Sequence, residues 1–183
     1  MSSHSSDGQL ITRVVTVNDQ EAFAELVQRY QSAIRQFCRR LTAGDYFLAD
    51  DIAQETFWLA YQKISTFQGK GSFSSWLHTI AYRQFLKHAG SQSTEVYEDD
   101  SHTLDESTDK AMEADIMAEK LMKQLSLAER VTITLSYSAG MSHQEIADIT
   151  GFALGTVKSH IKRGKDKLTS IVQQKPPLTL TPQ

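Results

Sequence analysis

Hydrophobic positions recur at three- and four-residue intervals along most of this 183-residue chain, and that spacing predicts helices nearly throughout. Phe23, Leu26, Val27, Tyr30, Ile34, Phe37 and Leu41 follow the i, i+3, i+4, i+7 pattern and predict one long amphipathic helix. A shorter helix precedes it at about 9–16, set off by the capping signal Asn18-Asp19. Asp50 and Asp51 open a third helix running to about Phe67, with acids placed to favour its first turn. Gln68-Gly69-Lys70-Gly71 breaks the period, and Ser72 starts a fourth helix that ends near Gly90. Further on, 112–125 and 127–138 predict two more helices. No internal repeat and no convincing strand interrupts this pattern, so the expected class is all-α.

Residues 142–168 read as two short helices joined by a tight turn. Ser142 followed by Glu145 is a capping box; Ile146, Ala147 and Ile149 give the first helix an apolar side, and Gly151 permits a left-handed exit. Val157, Ile161 and Leu168 form the inner stripe of the second helix. Lys158, Ser159, Lys162 and Arg163 fall at i, i+1, i+4 and i+5 and share its outer face. A helix-turn-helix lays such a face in the DNA major groove, where long cations reach phosphates and the acceptor edge of guanine. A plain helical hairpin with a solvated basic face has the same spacing, and the pattern alone leaves both readings open.

Net charge at first argues against DNA binding, because it is −3 overall. Its distribution removes the objection. Residues 91–115 hold nine acids against Lys110, a net −8, which leaves the remainder of the chain at +5. Lys158 to Lys167 carries five cations against Asp166. The acidic stretch is rich in Ser and Thr and lacks apolar periodicity, so it is expected to be a solvated linker between two helical units. Apolar content of 40% suffices for globular cores, though two half-size units would each be thinly cored. The start, MSSHSSDGQL, is polar and unlike a signal peptide, and no apolar run is long enough to span a membrane. Cys38, the single cysteine, excludes internal disulfides and reads as a buried structural thiol; no Cys/His cluster has zinc spacing. No nucleophile–base pair or phosphate-cradling loop appears, so the sequence offers no case for an enzyme and implies no cofactor.

Three stretches, DDIAQETFWLAYQKISTF, FQGKGSFSSWLHTIAYRQFL and LSLAERVTITLSYSAGMSHQEIADITGFALGTVKSHIKRGKDKL, together resemble a bacterial sigma factor of the sigma-70 family. The short two-domain plan is similar to the extracytoplasmic-function (ECF) class. The resemblance covers roughly 9–172, with several independent motifs in order. It implies two small helical domains: a sigma region 2-like bundle over 9–92 and a sigma region 4-like helix-turn-helix over 112–174. A flexible acidic linker over 93–111 would join them, with disordered ends at 1–8 and 175–183. It further implies a cytoplasmic protein that binds core RNA polymerase at the β′ clamp helices and β flap. Such a protein reads the −10 and −35 promoter elements, promotes melting and, in many relatives, is held by an anti-sigma protein. A stand-alone dimeric helix-turn-helix regulator is the alternative, but it has no need for the motif at Asp51–Phe57 or the loop before Phe73.

Carried over by motif, Asp51, Gln54 and Glu55 match the clamp-helix contacts, with Asp50 and Trp58 beside them. Their i, i+3, i+4 spacing gives one polar face, while Ile52, Ala53, Phe57 and Ala60 turn inward. Leu48 stands where the family usually has an acid, so weakened docking is expected. Around the −10 element, Phe67, Lys70, Ser72 and Phe73 match a loop that pockets a flipped base, and Arg83 and Lys87 lie on the following helix. Aromatic stacking and cations suit a separated strand. Trp76 and Ile80 read as core. Arg83 replaces the usual Asn, and KHAG lacks the usual arginine pair. Thr156, Lys158, Ser159, Lys162 and Arg163 match the −35 reading positions, and His160 reads as a phosphate-side or solvent residue. Ala153 removes a usual cap, at about 1 kcal/mol. Gly164 replaces a usual Ala, at roughly another 1 kcal/mol of helix propensity.

Overall fold

The computed structural model describes residues 5–91 and 110–174. They form eight α-helices: α1 (Asp7–Val17), α2 (Gln20–Leu41), α3 (Tyr46–Lys63), α4 (Phe73–Ser91), α5 (Lys110–Met122), α6 (Leu127–Tyr137), α7 (His143–Thr150) and α8 (Leu154–Gln174). A single 3₁₀ turn, Ile64–Thr66, follows α3. No strand occurs among the described residues. The expected all-α class and the helix order hold. The acidic segment 93–111, apart from the start of α5, and the terminal residues 1–4 and 175–183 fall outside the described residues, whereas Ser6 caps α1 and Asp7 and Gly8 lie in its first turn, so the expected disorder over 1–8 does not extend to these residues.

Caps explain most helix boundaries. Asn18 ends α1 in the left-handed region at φ 53°, and Asp19 immediately caps α2 by accepting from Ala22 N at 3.0 Å, as the Asn18-Asp19 pair predicts. The expected start of α3 at Asp50-Asp51 is incorrect. Asp45 is the cap, accepting from Leu48 N at 3.0 Å, so the helix begins a turn earlier and its first turn contains no acid. Gly151 leaves α7 at φ 76°, and the Ser142–Glu145 capping box is formed in both directions.

Helix α2 is the axis of the first unit and packs against α1, α3 and α4. Its apolar stripe, Leu26, Ile34, Phe37 and Leu41, is buried with Leu10, Ile52 and Leu77. Cys38 lies in the same core at 0% exposure, and burial pushes its thiol up to about 12. In the second unit α6 and α8 pack together, with α7 against both, around Leu135, Ile146, Val157 and Ile161.

Gly164 has a packing role beside its sequence reading as a cost of helix propensity. A Cβ there would sit 2.3 Å from Ile133 Cδ1 and 3.3 Å from Ile133 Cγ1, so a larger residue would force the Ile133 side chain to shift where α8 crosses α6. The two units also meet. Arg40 Nη1 donates to Ser138 Oγ at 2.7 Å, Gln36 Nε2 to Asp115 Oδ1 at 2.7 Å, and the Tyr46 hydroxyl to Glu119 Oε2 at 2.6 Å. Ala43 of the first unit shares a small apolar cluster with Met122, Leu125 and Ile133 of the second.

Candidate protein and nucleic-acid interfaces

The α3 face carries the residues matched to polymerase docking. Asp51 and Gln54 are exposed, Glu55 is half-buried, and Trp58 is 62% exposed. Ile52, Ala53 and Ala60 are buried as expected, whereas Phe57 is only half-buried and lines a shallow groove with Gln20, Phe23, Trp58 and Tyr61. Helical geometry explains the row, since 51, 54, 55 and 58 are spaced for one side. Asp50 does not join it: its Oδ1 is directed toward α2, 3.9 Å from Arg35 Nε. Two members of this surface escaped the sequence reading. Phe47, 75% exposed, extends the row by one turn; its i−4 spacing from Asp51 was the available signal, hidden by the misplaced helix start. His88, on α4, places Nε2 3.2 Å from Glu55 Oε2, a contact between helices that no local pattern displays.

The loop between the 3₁₀ turn and α4 bends at Gly69 and Gly71, with φ 69° and 82°. Ser72 Oγ accepts from Ser75 N at 3.0 Å, which starts α4 at the expected place. Phe67, Phe73 and Trp76 form a mutual aromatic cluster with ring centroids 5.5–5.6 Å apart. Phe73 is 4% exposed and also meets Tyr30 edge-on, so it forms the floor of this cluster and its ring faces are already covered. Phe67 and Trp76 are half-buried at its rim. Lys70 and Ser72 are exposed on the loop, and Arg83 and Lys87 are exposed one turn apart on α4.

On α8, Thr156, Lys158, Ser159, Lys162 and Arg163 are all exposed, while Val157, Ile161 and Gly164 are buried on the opposite side. The expected inner stripe and outer basic face are therefore both present. Ser159 Oγ donates to Gly155 O at 2.8 Å, a bond that turns the hydroxyl back along the helix. His160 is not a plain solvent residue. Its ring packs on Phe152 at 5.5 Å, and its Nδ1 accepts from Arg163 Nη2 at 2.9 Å. Beneath the basic face lies Glu129 of α6, 4% exposed, bonded to Lys167 Nζ at 2.7 Å. That hydrogen bond, helped by Ser126, holds the Glu129 carboxyl below its ordinary value against the opposing effect of burial. Glu129 is the N3 residue of a complete capping box with Ser126, which was a legible signal; its long-range partners were not.

Family models match both units: Sigma-70 region 2 over residues 26–95 and Sigma-70, region 4 over residues 116–168. The ECF RNA polymerase sigma factor SigW of Bacillus subtilis is 32% identical over 170 residues, covering 84% of this chain and 90% of that protein. The RNA polymerase sigma-H factor of Pseudomonas aeruginosa is 30% identical over 189 residues, covering 94% and 97%. The fold also matches CnrH, solved in complex with the cytosolic domain of CnrY, with a TM-score of 0.65 at 23% identity over 92% of this chain and 98% of that one. The chain therefore belongs to the extracytoplasmic-function class of sigma-70-family RNA polymerase sigma factors. The dimeric-regulator alternative is not favoured, because the relatives match across both units.

Proposed function

We propose that this sigma factor divides its work among the three faces. The α3 row of Asp51, Gln54, Glu55 and Trp58 docks on the β′ clamp helices, with Asp50 acting from beside the row. The loop and α4 surface of Phe67, Lys70, Ser72, Arg83 and Lys87, floored by Phe73, holds the separated −10 strand. The exposed α8 row of Thr156, Lys158, Ser159, Lys162 and Arg163 reads the −35 duplex, and the second unit as a whole seats on the β flap. The observation that carries this reading is the segregation on α8. Cations occupy one side and Val157, Ile161 and Gly164 pack into the core on the other, so the basic face is available to a groove without any rearrangement. The fold likeness to CnrH, and to an RpoE sigma factor from Bartonella quintana solved with the anti-sigma factor NepR, supports an anti-sigma partner for this chain as well. The site of action is the cytoplasm, where polymerase and promoter are found.

Two measurements test the assignment. Asp51→Lys and Glu55→Lys are expected to abolish capture of core polymerase while leaving helicity unchanged; wild-type capture by both would remove the docking face from α3. Transcription from a duplex promoter and from one with a pre-melted bubble separates the DNA sites. Arg163→Ala should cost about 1–3 kcal/mol of upstream recognition if it makes a bidentate base contact, and the bubble should rescue little of that loss. Arg83→Ala should impair opening and be rescued in part. Equal rescue of both would place the downstream site on another helix.

A further inference from the structure

Three charged groups converge where α8 crosses α6. Glu129 Oε2 accepts from Lys167 Nζ at 2.7 Å and from Ser126 N at 3.0 Å, which commits that oxygen to anchoring. The other oxygen, Oε1, faces Arg163 Nε at 3.9 Å. Arg163 is held from its far side as well, because Nη2 donates to His160 Nδ1, and His160 is itself braced on Phe152. The helices pack closely at this level, since Gly164 sits between Arg163 and Lys167 in sequence and a Cβ there would meet Ile133 Cδ1 at 2.3 Å and reach Glu129 Cβ at 3.5 Å. A buried carboxylate thus lies under a side chain that remains 59% exposed.

We propose that Glu129 is a positioning residue for promoter recognition: it orients the Arg163 guanidinium, together with His160, so that the exposed end is presented to the duplex in one geometry. An arginine already restrained loses less rotamer freedom when it makes a base contact. The restraint therefore favours bidentate contact with one base over roving contact with phosphates. The inference rests on the reading of α8 as the DNA-facing helix. Bulk electrostatics predicts a different result. Removing a negative charge from beneath a basic face strengthens binding to any duplex, whereas removing a positioning group weakens discrimination among duplexes.

Glu129→Gln separates the two, because glutamine retains the capping hydrogen bond to Ser126 N but carries no charge to hold Lys167 or Arg163. Holoenzyme containing the full chain is used to select from a promoter duplex randomised across the upstream element. Wild type, Glu129→Gln, Arg163→Ala, Lys158→Ala, Lys162→Ala and the double variant of Glu129→Gln with Arg163→Ala are compared by their preference at each position and their affinity for an unrelated duplex. Thermal melting of each variant controls for folding, and Lys167→Gln controls for loss of helix anchoring alone. The expected result is a five- to tenfold loss of preference at one base position in Glu129→Gln, with unrelated-duplex affinity unchanged or higher. Arg163→Ala should lose preference at the same position, and the double variant should lose no more. Lys167→Gln should leave that position's preference intact. Unchanged preference in Glu129→Gln, a loss that persists undiminished on the Arg163→Ala background, or an equal loss in Lys167→Gln would each overturn the proposal. If Arg163→Ala, Lys158→Ala and Lys162→Ala all select like wild type, the reading of α8 fails and the proposal fails with it. If those variants lose preference and Glu129→Gln does not, only the positioning role is refuted.

Discussion

At Gly164 the local helix preference and the tertiary packing oppose each other. Helix propensity ranks glycine about 1 kcal/mol below alanine in a helix interior, and by that measure Gly164→Ala should stabilise. The crossing with α6 opposes this, because the new Cβ would lie 2.3 Å from the Ile133 δ-methyl, and Ile133 is 5% exposed. Overpacking of a filled core costs about 1–3 kcal/mol, so the substitution is expected to lower stability in chemical denaturation despite the propensity gain. Ile133→Val removes the obstructing methyl and should make the Gly164→Ala penalty largely disappear; a persistent penalty would show that the methyl is not the obstacle. His78 supports a second prediction at this scale. It is 1% exposed, donates from Nδ1 to Ser74 O at 2.7 Å, and stands edge-on to Phe37 at 4.8 Å. Burial lowers its pKa below the ordinary 6.5, with the Ser74 carbonyl opposing in part. The folded state therefore binds that proton less readily than the unfolded chain does. Its contribution to stability is complete above about pH 6.5 and declines as pH falls from there toward the folded pKa. A ring-proton NMR titration should place the His78 midpoint below 6.5, and a midpoint at or above it would contradict this environment.

At the level of elements, legibility followed the chemistry of caps. Asn18-Asp19 and Ser142–Glu145 were readable because each pairs a capping side chain with a regular apolar period immediately beyond it. Asp45 was missed because Tyr46 and Phe47 follow it, and Phe47 faces solvent at 75% exposure, so the opening turn of α3 has no amphipathic rhythm. Asp50-Asp51 then imitated a helix start one turn too late. The candidate faces on α3 and α8 were legible for the same reason the helices were: a face is set by spacing within one element. Glu129 and His88 were not, since their partners lie 38 and 33 residues away and no periodicity reports such pairings. The capping assignment has a direct check. Asp45→Ala should cost about 1 kcal/mol, the usual worth of an N-cap. Asp50→Ala should cost much less, as its carboxylate caps no backbone N–H of α3 and stands 3.9 Å from Arg35 Nε. A larger loss at Asp50 would return the start of α3 to the later position.

For the whole molecule, a small set of polar contacts joins the two units. Arg40 bridges to Ser138 and approaches Asp115 at 3.6 Å, and Tyr46 binds Glu119 beside the Arg39 guanidinium, which lies 5.0 Å from its ring. Burial and the Glu119 carboxylate push the Tyr46 hydroxyl up to about 12, so it stays a donor throughout the neutral range. Combining Arg40→Ala with Tyr46→Phe should raise the radius of gyration in solution scattering without loss of helicity, and an unchanged radius would mean that these bonds do not hold the units together. Cys38 offers a further consequence. With 0% exposure and a pKa near 12, the sole sulfur of its kind in the chain is both shielded and almost fully protonated in the native state. A thiol reagent can modify it only during moments when the α2 core breathes open, so the modification rate is a clock for excursions of the first unit alone. Run beside far-ultraviolet melting of the whole chain, that clock would set the opening free energy of the first unit against that of the entire molecule without cutting the two apart.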